Sequence, residues 1–270
     1  MAAIKENRFR KAMHNKNMIL PNIITILGLL SGVYSIMLSV GSAAGSARID
    51  QFVFASYFLI LAAVFDGLDG KVARIVKGSS DFGVQLDSLC DLVSFGVAPA
   101  ILVYEWLLKD FERLGLMAIF LFIASGALRL ARFNVQSGVV SNKYFVGLPI
   151  PAAAAFIASS VIFIEAIGVD KEKAILSIFF LVSIYVLAFL MVSTIPFYSF
   201  KKADYFKQKP FQSLVLIVIL ISILVIKFEI VFFLMVFLYI VLGMLIAFFR
   251  LFRRKKHDDI NRESVIENKN

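Results

Sequence analysis

Four aspartates, Asp66, Asp69, Asp87 and Asp91, stand at regular intervals inside a largely apolar stretch. Their spacing is helical. At 100° per residue, positions three and four apart stack on one side, so Asp66, Asp69, Gly70, Ala73, Arg74 and Lys77 share a face, and Gly83, Asp87 and Asp91 share another. The connector Gly78-Ser79-Ser80-Asp81 is short, which makes the two helices antiparallel neighbours whose acidic faces converge. Four carboxylates facing one another beside lipid cannot all stay ionised unless positive charge sits among them, because repulsion and desolvation both oppose it. Two divalent cations would cancel the four charges, and an all-oxygen donor set selects hard ions, Mg²⁺ or Mn²⁺, over zinc. Such a pair, about 3.5–4 Å apart, clamps the attacking and leaving oxygens of a phosphoryl transfer. The neighbours fit that chemistry: Gly70 and Gly83 leave bare backbone for a flat base or a phosphate, and Arg74 offers a fork for a pyrophosphate. Lys77 on the same face either helps to hold phosphate or is a solvated loop lysine. The competing reading is an ion pathway in an ion-coupled membrane transporter. Against it stand the ordered run of aspartates, glycines, alanine and arginine and the absence of a second pair of broken helices in the pattern.

The elements that must carry these groups are membrane helices. Hydrophobic residues make up 60% of the 270 and charged ones 17%, and the mean hydropathy is +0.86, far from the balance of a water-soluble domain. Hydrocarbon about 30 Å thick calls for apolar runs of about 20 residues. Eight are expected, near 19–40, 52–74, 84–106, 114–133, 148–167, 174–199, 211–226 and 229–249. An amino terminus in the cytoplasm leaves 22 of the 28 Lys and Arg on the cytoplasmic side, so the positive-inside rule puts both termini and the acidic face there, in the cytoplasmic (inner) membrane. The first run is too long for the 7–15-residue core of a secretory signal and is read as a retained span. Lys and Arg fall between apolar runs rather than in one patch, which points to anionic membrane lipids and away from nucleic acid. A single cysteine, Cys90, excludes an intrachain disulfide and a multi-cysteine zinc site. It is expected on a face away from the aspartates, as packing.

Taken together, Asp66, Asp69, Gly70, Ala73, Arg74, Gly83, Asp87 and Asp91 follow the order D-x2-D-G-x2-A-R-x8-G-x3-D-x3-D without a gap, and here the sequence resembles the CDP-alcohol phosphotransferase family. The resemblance implies an all-α polytopic membrane protein with a six-helix catalytic core at 17–200, commonly a homodimer. Around that core the chain would have a basic N-tail at 1–16, an additional transmembrane pair at 201–252 and a basic C-tail at 253–270. It also implies that the four aspartates bind two metals, that Asp91 is the general base, and that Gly70, Ala73 and Arg74 hold the cytidine and its phosphates. Three further stretches, Leu20-Pro21-Asn22-Ile23-Ile24-Thr25, Gly126 to Asn134 and Gly147 to Ala154, look like the membrane-integral (type II) phosphatidylserine synthases within the family. That likeness implies transfer of a phosphatidyl group from CDP-diacylglycerol to L-serine. The same chemistry with glycerol 3-phosphate is the alternative.

Those stretches have readings of their own. Pro21 suits the first turn of a helix, where its missing N–H costs nothing, and Asn22 and Thr25 then share a face. They either donate to the nucleotide or make ordinary capping and interhelical bonds. Arg129 and Arg132, three apart, either hold the acceptor's carboxylate or a lipid phosphate, or snorkel to the interface. Pro149 and Pro151 are expected to shape the entry of the fifth span.

Overall fold

In lipid every backbone polar group must be satisfied within the chain, so the apolar runs have little choice but to be helices. The computed structural model describes residues 2–43, 50–76, 81–136, 144–169, 174–198 and 227–246. The chain is an all-α polytopic membrane protein, apart from one short strand pair. In order come α1 (Ala2–Ala43), α2 (Asp50–Ile75), α3 (Asp81–Asp91), a π-helical segment (Leu92–Val97), α4 (Ala98–Val103) and a second π segment (Tyr104–Leu108). After a 3₁₀ turn (Lys109–Phe111) follow α5 (Glu112–Gln136), β1 (Tyr144–Val146), α6 (Ile150–Ile167), α7 (Ala174–Val192) and β2 (Pro196–Tyr198), and then α8 (Phe228–Ile246). Among the described residues, six helical runs are long and apolar enough to cross a membrane. One of them, Phe82–Val135, has 54 residues and would be about 80 Å long if straight. It doubles back at Glu112, whose backbone takes φ 44°, and returns so that Asn134 Nδ2 donates to Ser88 Oγ at 2.8 Å. That run therefore holds both the third and fourth expected spans. The seventh, near 211–226, lies outside the described residues, as do Lys77 and the tail beyond 252.

The chain divides into two compact units, one of residues 1–140 and 149–192, the other of 141–148 and 193–270. In the first, α1 buries Pro21, Thr25, Gly28, Gly32, Ser35 and Ser39, alternating steps of three and four that draw one seam down the helix. Small residues on such a seam let backbones approach, which is how helices associate where lipid is as apolar as leucine. The approach is close: a β-carbon on Gly32 would stand 2.8 Å from Ser94 Cα, so only glycine fits. Facing it, α2 buries Phe52, Ala55, Leu59 and Ala62, and Ser35 Oγ donates across to the Ala55 carbonyl at 2.8 Å. The same steps continue to Asp66 and Asp69, so the face that packs α2 also carries its carboxylates inward. One expectation is corrected. Helical backbone begins at Ala2, so Pro21 is inside α1 rather than in its first turn, because the polar residues upstream extend the helix instead of capping it.

α6 forms the middle of this unit, with Ile150, Ala153, Ile157, Ala158, Val161 and Ile162 almost fully enclosed. Pro149 occupies its N-cap and Pro151 its first turn, the entry role expected of them, and Gly168 ends it in the left-handed conformation at φ 65°, as a C-terminal glycine commonly does. Near that end Trp106 Nε1 donates to Glu165 Oε1 at 2.9 Å and meets Phe180 edge to face. In the second unit β1 and β2 pair antiparallel, Phe145 opposite Phe197, and Gly147 N–H donates to the Ile195 carbonyl at 2.8 Å. α8 stacks Phe228 on Phe232 along its own surface.

Candidate active site

Where α1, α2 and α3 come together, a small cleft is lined by Thr25, Gly28, Asp66, Asp69, Asp87, Cys90, Asp91 and Ser94, with Leu29, Ala62 and Phe95 at its apolar side. α1 packs against α2 and α3 alike, and the acidic side chains of those two helices meet in front of it. Asp66, Asp69 and Asp87 each place a carboxylate oxygen within 4.8 Å of the others. Hard cations hold oxygen ligands at about 2.0–2.6 Å, so donors up to about 5 Å apart can share one ion. The donor set therefore fits a divalent metal, and these three residues could hold it. Asp91 lines the same cleft one turn further along, where the chain widens into the π segment that starts at Leu92. Single π turns of this kind recur at functional sites, since they shift the side chains on either side out of α-helical register.

Thr25 ties α1 to this group. Its Oγ1 lies 2.6 Å from Asp69 Oδ2 and 3.1 Å from the Pro21 carbonyl, and a hydroxyl has one proton to give. The shorter, charge-assisted bond to Asp69 is the stronger of the two. Asp69 is in consequence the most enclosed of the four, 6% exposed, and its orientation is set from α1. Asn22 sits half-buried one turn earlier on α1.

Gly70 is exposed, and a β-carbon added there would meet nothing within 4 Å, so backbone is bare on the open side of the carboxylates. Arg74, also exposed, donates from Nε to the Gly70 carbonyl at 2.8 Å, which points its guanidinium along the same surface; Ala73 and Gly83 are half-buried. The two arginines of α5 part company. Arg129 is buried, 8% exposed. Arg132 donates from Nη1 to the Val192 carbonyl at 3.0 Å and from Nη2 to that of Met191 at 3.4 Å, satisfying the last carbonyls of α7.

Cys90 corrects an expectation. It is buried, as packing residues are, yet it lines the cleft beside Asp87 and Asp91 instead of facing away. One residue is 100° of turn, and helix α3 ends there in the wider π turn, so a side chain between two inward aspartates still borders the space they enclose. Ser94 and Gly28 were not singled out from the sequence. Their signal was present in the Gly28 to Gly32 spacing, which brings Ser94 Oγ to the Gly28 carbonyl at 3.3 Å and closes the cleft floor.

Compared with known proteins, residues 18–249 match the model of a family described as CDP-alcohol phosphatidyltransferase. The chain is 36% identical over 191 residues to a CDP-diacylglycerol–serine O-phosphatidyltransferase of Helicobacter pylori, covering 68% of this chain and 74% of that one. It is 43% identical over 143 residues to an archaetidylserine synthase of Methanothermobacter thermautotrophicus, 52% of this chain and 56% of that protein. With a CDP-diacylglycerol–serine O-phosphatidyltransferase of Saccharomyces cerevisiae it shares 39% identity over 150 residues, 53% of each chain.

Proposed function

Because the chain belongs to the CDP-alcohol phosphatidyltransferase family, we propose that it moves the phosphatidyl group of CDP-diacylglycerol onto the hydroxyl of L-serine, giving phosphatidylserine and CMP. The observation that carries this reading is the three-carboxylate cluster with Asp91 in the same cleft. Relatives in a bacterium and a yeast named CDP-diacylglycerol–serine O-phosphatidyltransferase, and an archaeal one named archaetidylserine synthase, support the choice of acceptor.

Asp66, Asp69 and Asp87, with Asp91 beside them, hold two divalent cations, Mg²⁺ or Mn²⁺, in this reading. Such ions neutralise the carboxylates and the phosphoryl oxygens on which charge gathers. Thr25 keeps Asp69 turned toward the cleft, the kind of outer contact that fixes a ligand's orientation. The bare backbone at Gly70 and Gly83, with Ala73, leaves room for the cytidine, and Arg74 takes the diphosphate with Lys77 in support. Asn22 adds a polar group on the α1 side. The acyl chains stay in lipid. Asp91 accepts the serine hydroxyl proton as that oxygen bonds to the β-phosphorus and the bond to CMP breaks, help that serine needs because its hydroxyl is almost wholly protonated near neutral pH. Arg129 pairs with the acceptor's carboxylate. Both termini and the cleft face the cytoplasm from the inner membrane, the side rich in Lys and Arg. The core at 17–200 works as a homodimer, and the helices of 201–252 add packing surface.

The test incubates the purified full chain with CDP-diacylglycerol, Mn²⁺ or Mg²⁺, and serine or glycerol 3-phosphate in turn, and measures CMP. CMP and phosphatidylserine are expected with serine, and neither after chelation of the metal. CMP with glycerol 3-phosphate alone would move the acceptor; no CMP with either would remove the enzyme reading.

A further inference from the structure

Near the carboxylates, α5 ends in three polar side chains within six residues, each reaching a different part of the bundle. Arg129 turns inward and is buried, on a helix that packs against the π segment following Asp91. Arg132 holds the terminal carbonyls of α7. Asn134 Nδ2 donates to Ser88 Oγ at 2.8 Å, next in sequence to Asp87. The Ser88 hydroxyl lies 3.1 Å from the Val84 carbonyl and gives its proton there, so its oxygen is the acceptor and Asn134 must present its amide nitrogen. At 100° per residue, Arg132 and Asn134 leave α5 about 160° apart. The helix is thus held from opposite sides, by α7 and by α3, and both contacts resist a roll about its axis. A roll is the motion that would carry Arg129 out of its buried position.

We infer that the Asn134–Ser88 hydrogen bond is the positioning contact of the acceptor half of the site, holding α5 against α3 so that the buried Arg129 guanidinium stays turned into the bundle to receive an acceptor that carries an anionic group close to its hydroxyl. This rests on the transfer proposed above. The CDP-lipid half is built on α1, α2 and α3, so loosening the grip on α5 leaves it in place. Asn134 and Ser88 act through Arg129 and touch no substrate.

The experiment is a double-mutant cycle on the full chain, with Ser88→Ala, Asn134→Ala and both together. The KM for serine, the KM for CDP-diacylglycerol and the Mn²⁺ affinity are measured for each. Loss of one hydrogen bond predicts a rise in the serine KM of about tenfold in either single variant, no further rise in the double, and unchanged CDP-diacylglycerol KM and Mn²⁺ affinity. Ser88→Thr, which keeps the hydroxyl, stays near the parent value. A serine KM that does not move, or one that rises in parallel with the CDP-diacylglycerol KM, would overturn the inference. If the parent chain uses glycerol 3-phosphate instead of serine, the serine reading fails, and the same cycle run with that acceptor still decides the role of Asn134.

Discussion

The two ends of the first unit treat polar groups in opposite ways. At the end of α6, Trp106 gives its indole proton to Glu165 and Tyr185 gives its hydroxyl proton to the Leu114 carbonyl, so each polar group meets a partner supplied by the fold. At the other end four carboxylates line one cleft, and among the described residues the buried positive charge acting there is Arg129. Both ends use the same seam of α2, with Ala55 and Ala62 packing where Asp66 and Asp69 continue the pattern. Self-sufficiency at one end and a deficit of positive charge at the other teach that the deficit belongs to the site's purpose, since buried charge is otherwise neutralised or removed. The donor set of the cleft fits a divalent cation.

The sharpest way to break that comparison is at Asp91. Asp91→Asn removes the proposed proton acceptor and is expected to lower CMP release by at least about 10³-fold, with CDP-diacylglycerol still bound in the presence of Mn²⁺ when binding is measured directly. Near-normal turnover would take Asp91 out of the chemistry. Next comes Thr25→Val, which deletes the hydroxyl holding Asp69 and should weaken Mn²⁺ binding by about 10–100-fold in calorimetry or paramagnetic resonance, while Thr25→Ser keeps it. Equal affinities would make Thr25 a mere helix contact.

On the packing side, Gly32→Ala sets a methyl against Ser94 Cα and is expected to cost about 1–3 kcal/mol of stability, read as a lower midpoint in thermal unfolding. Tolerance of alanine would mean that α1 has slack there. The smallest effect belongs to the self-sufficient end: Trp106→Phe leaves Glu165 without the indole donor, for about 1 kcal/mol. Its turnover should stay at the parent value, and a fall in turnover would show that the two ends communicate.

Much of this could be read from the chain before any coordinates. The three-residue step from Asp66 to Asp69 and the four-residue step from Asp87 to Asp91 place each pair on one face, because an α-helix repeats every 3.6 residues. Helix existence in the apolar runs was equally legible, since unpaired backbone has no place in hydrocarbon. Less legible were features set by neighbours distant in sequence. Cys90 borders the cleft because α3 passes into a π turn at Leu92, and periodicity assumes a regular helix. Pro21 lies within α1 because the helix continues upstream, while local preference for a proline is highest in the first turn. Arg129 and Arg132 looked alike at three residues apart, yet one is buried and the other reaches the end of α7.

What the sequence by itself determined is therefore the inventory and its periodicity: membrane helices, acidic faces, and residue types fit for hard cations. These follow from covalent geometry and from the cost of polar groups in lipid, both of which act locally. Only the tertiary structure decided which oxygens come within reach of a common ion, which hydroxyl steadies Asp69, and which arginine is buried. Such choices depend on how helices far apart in sequence pack against one another, and the side-chain volumes of several elements settle that packing at once.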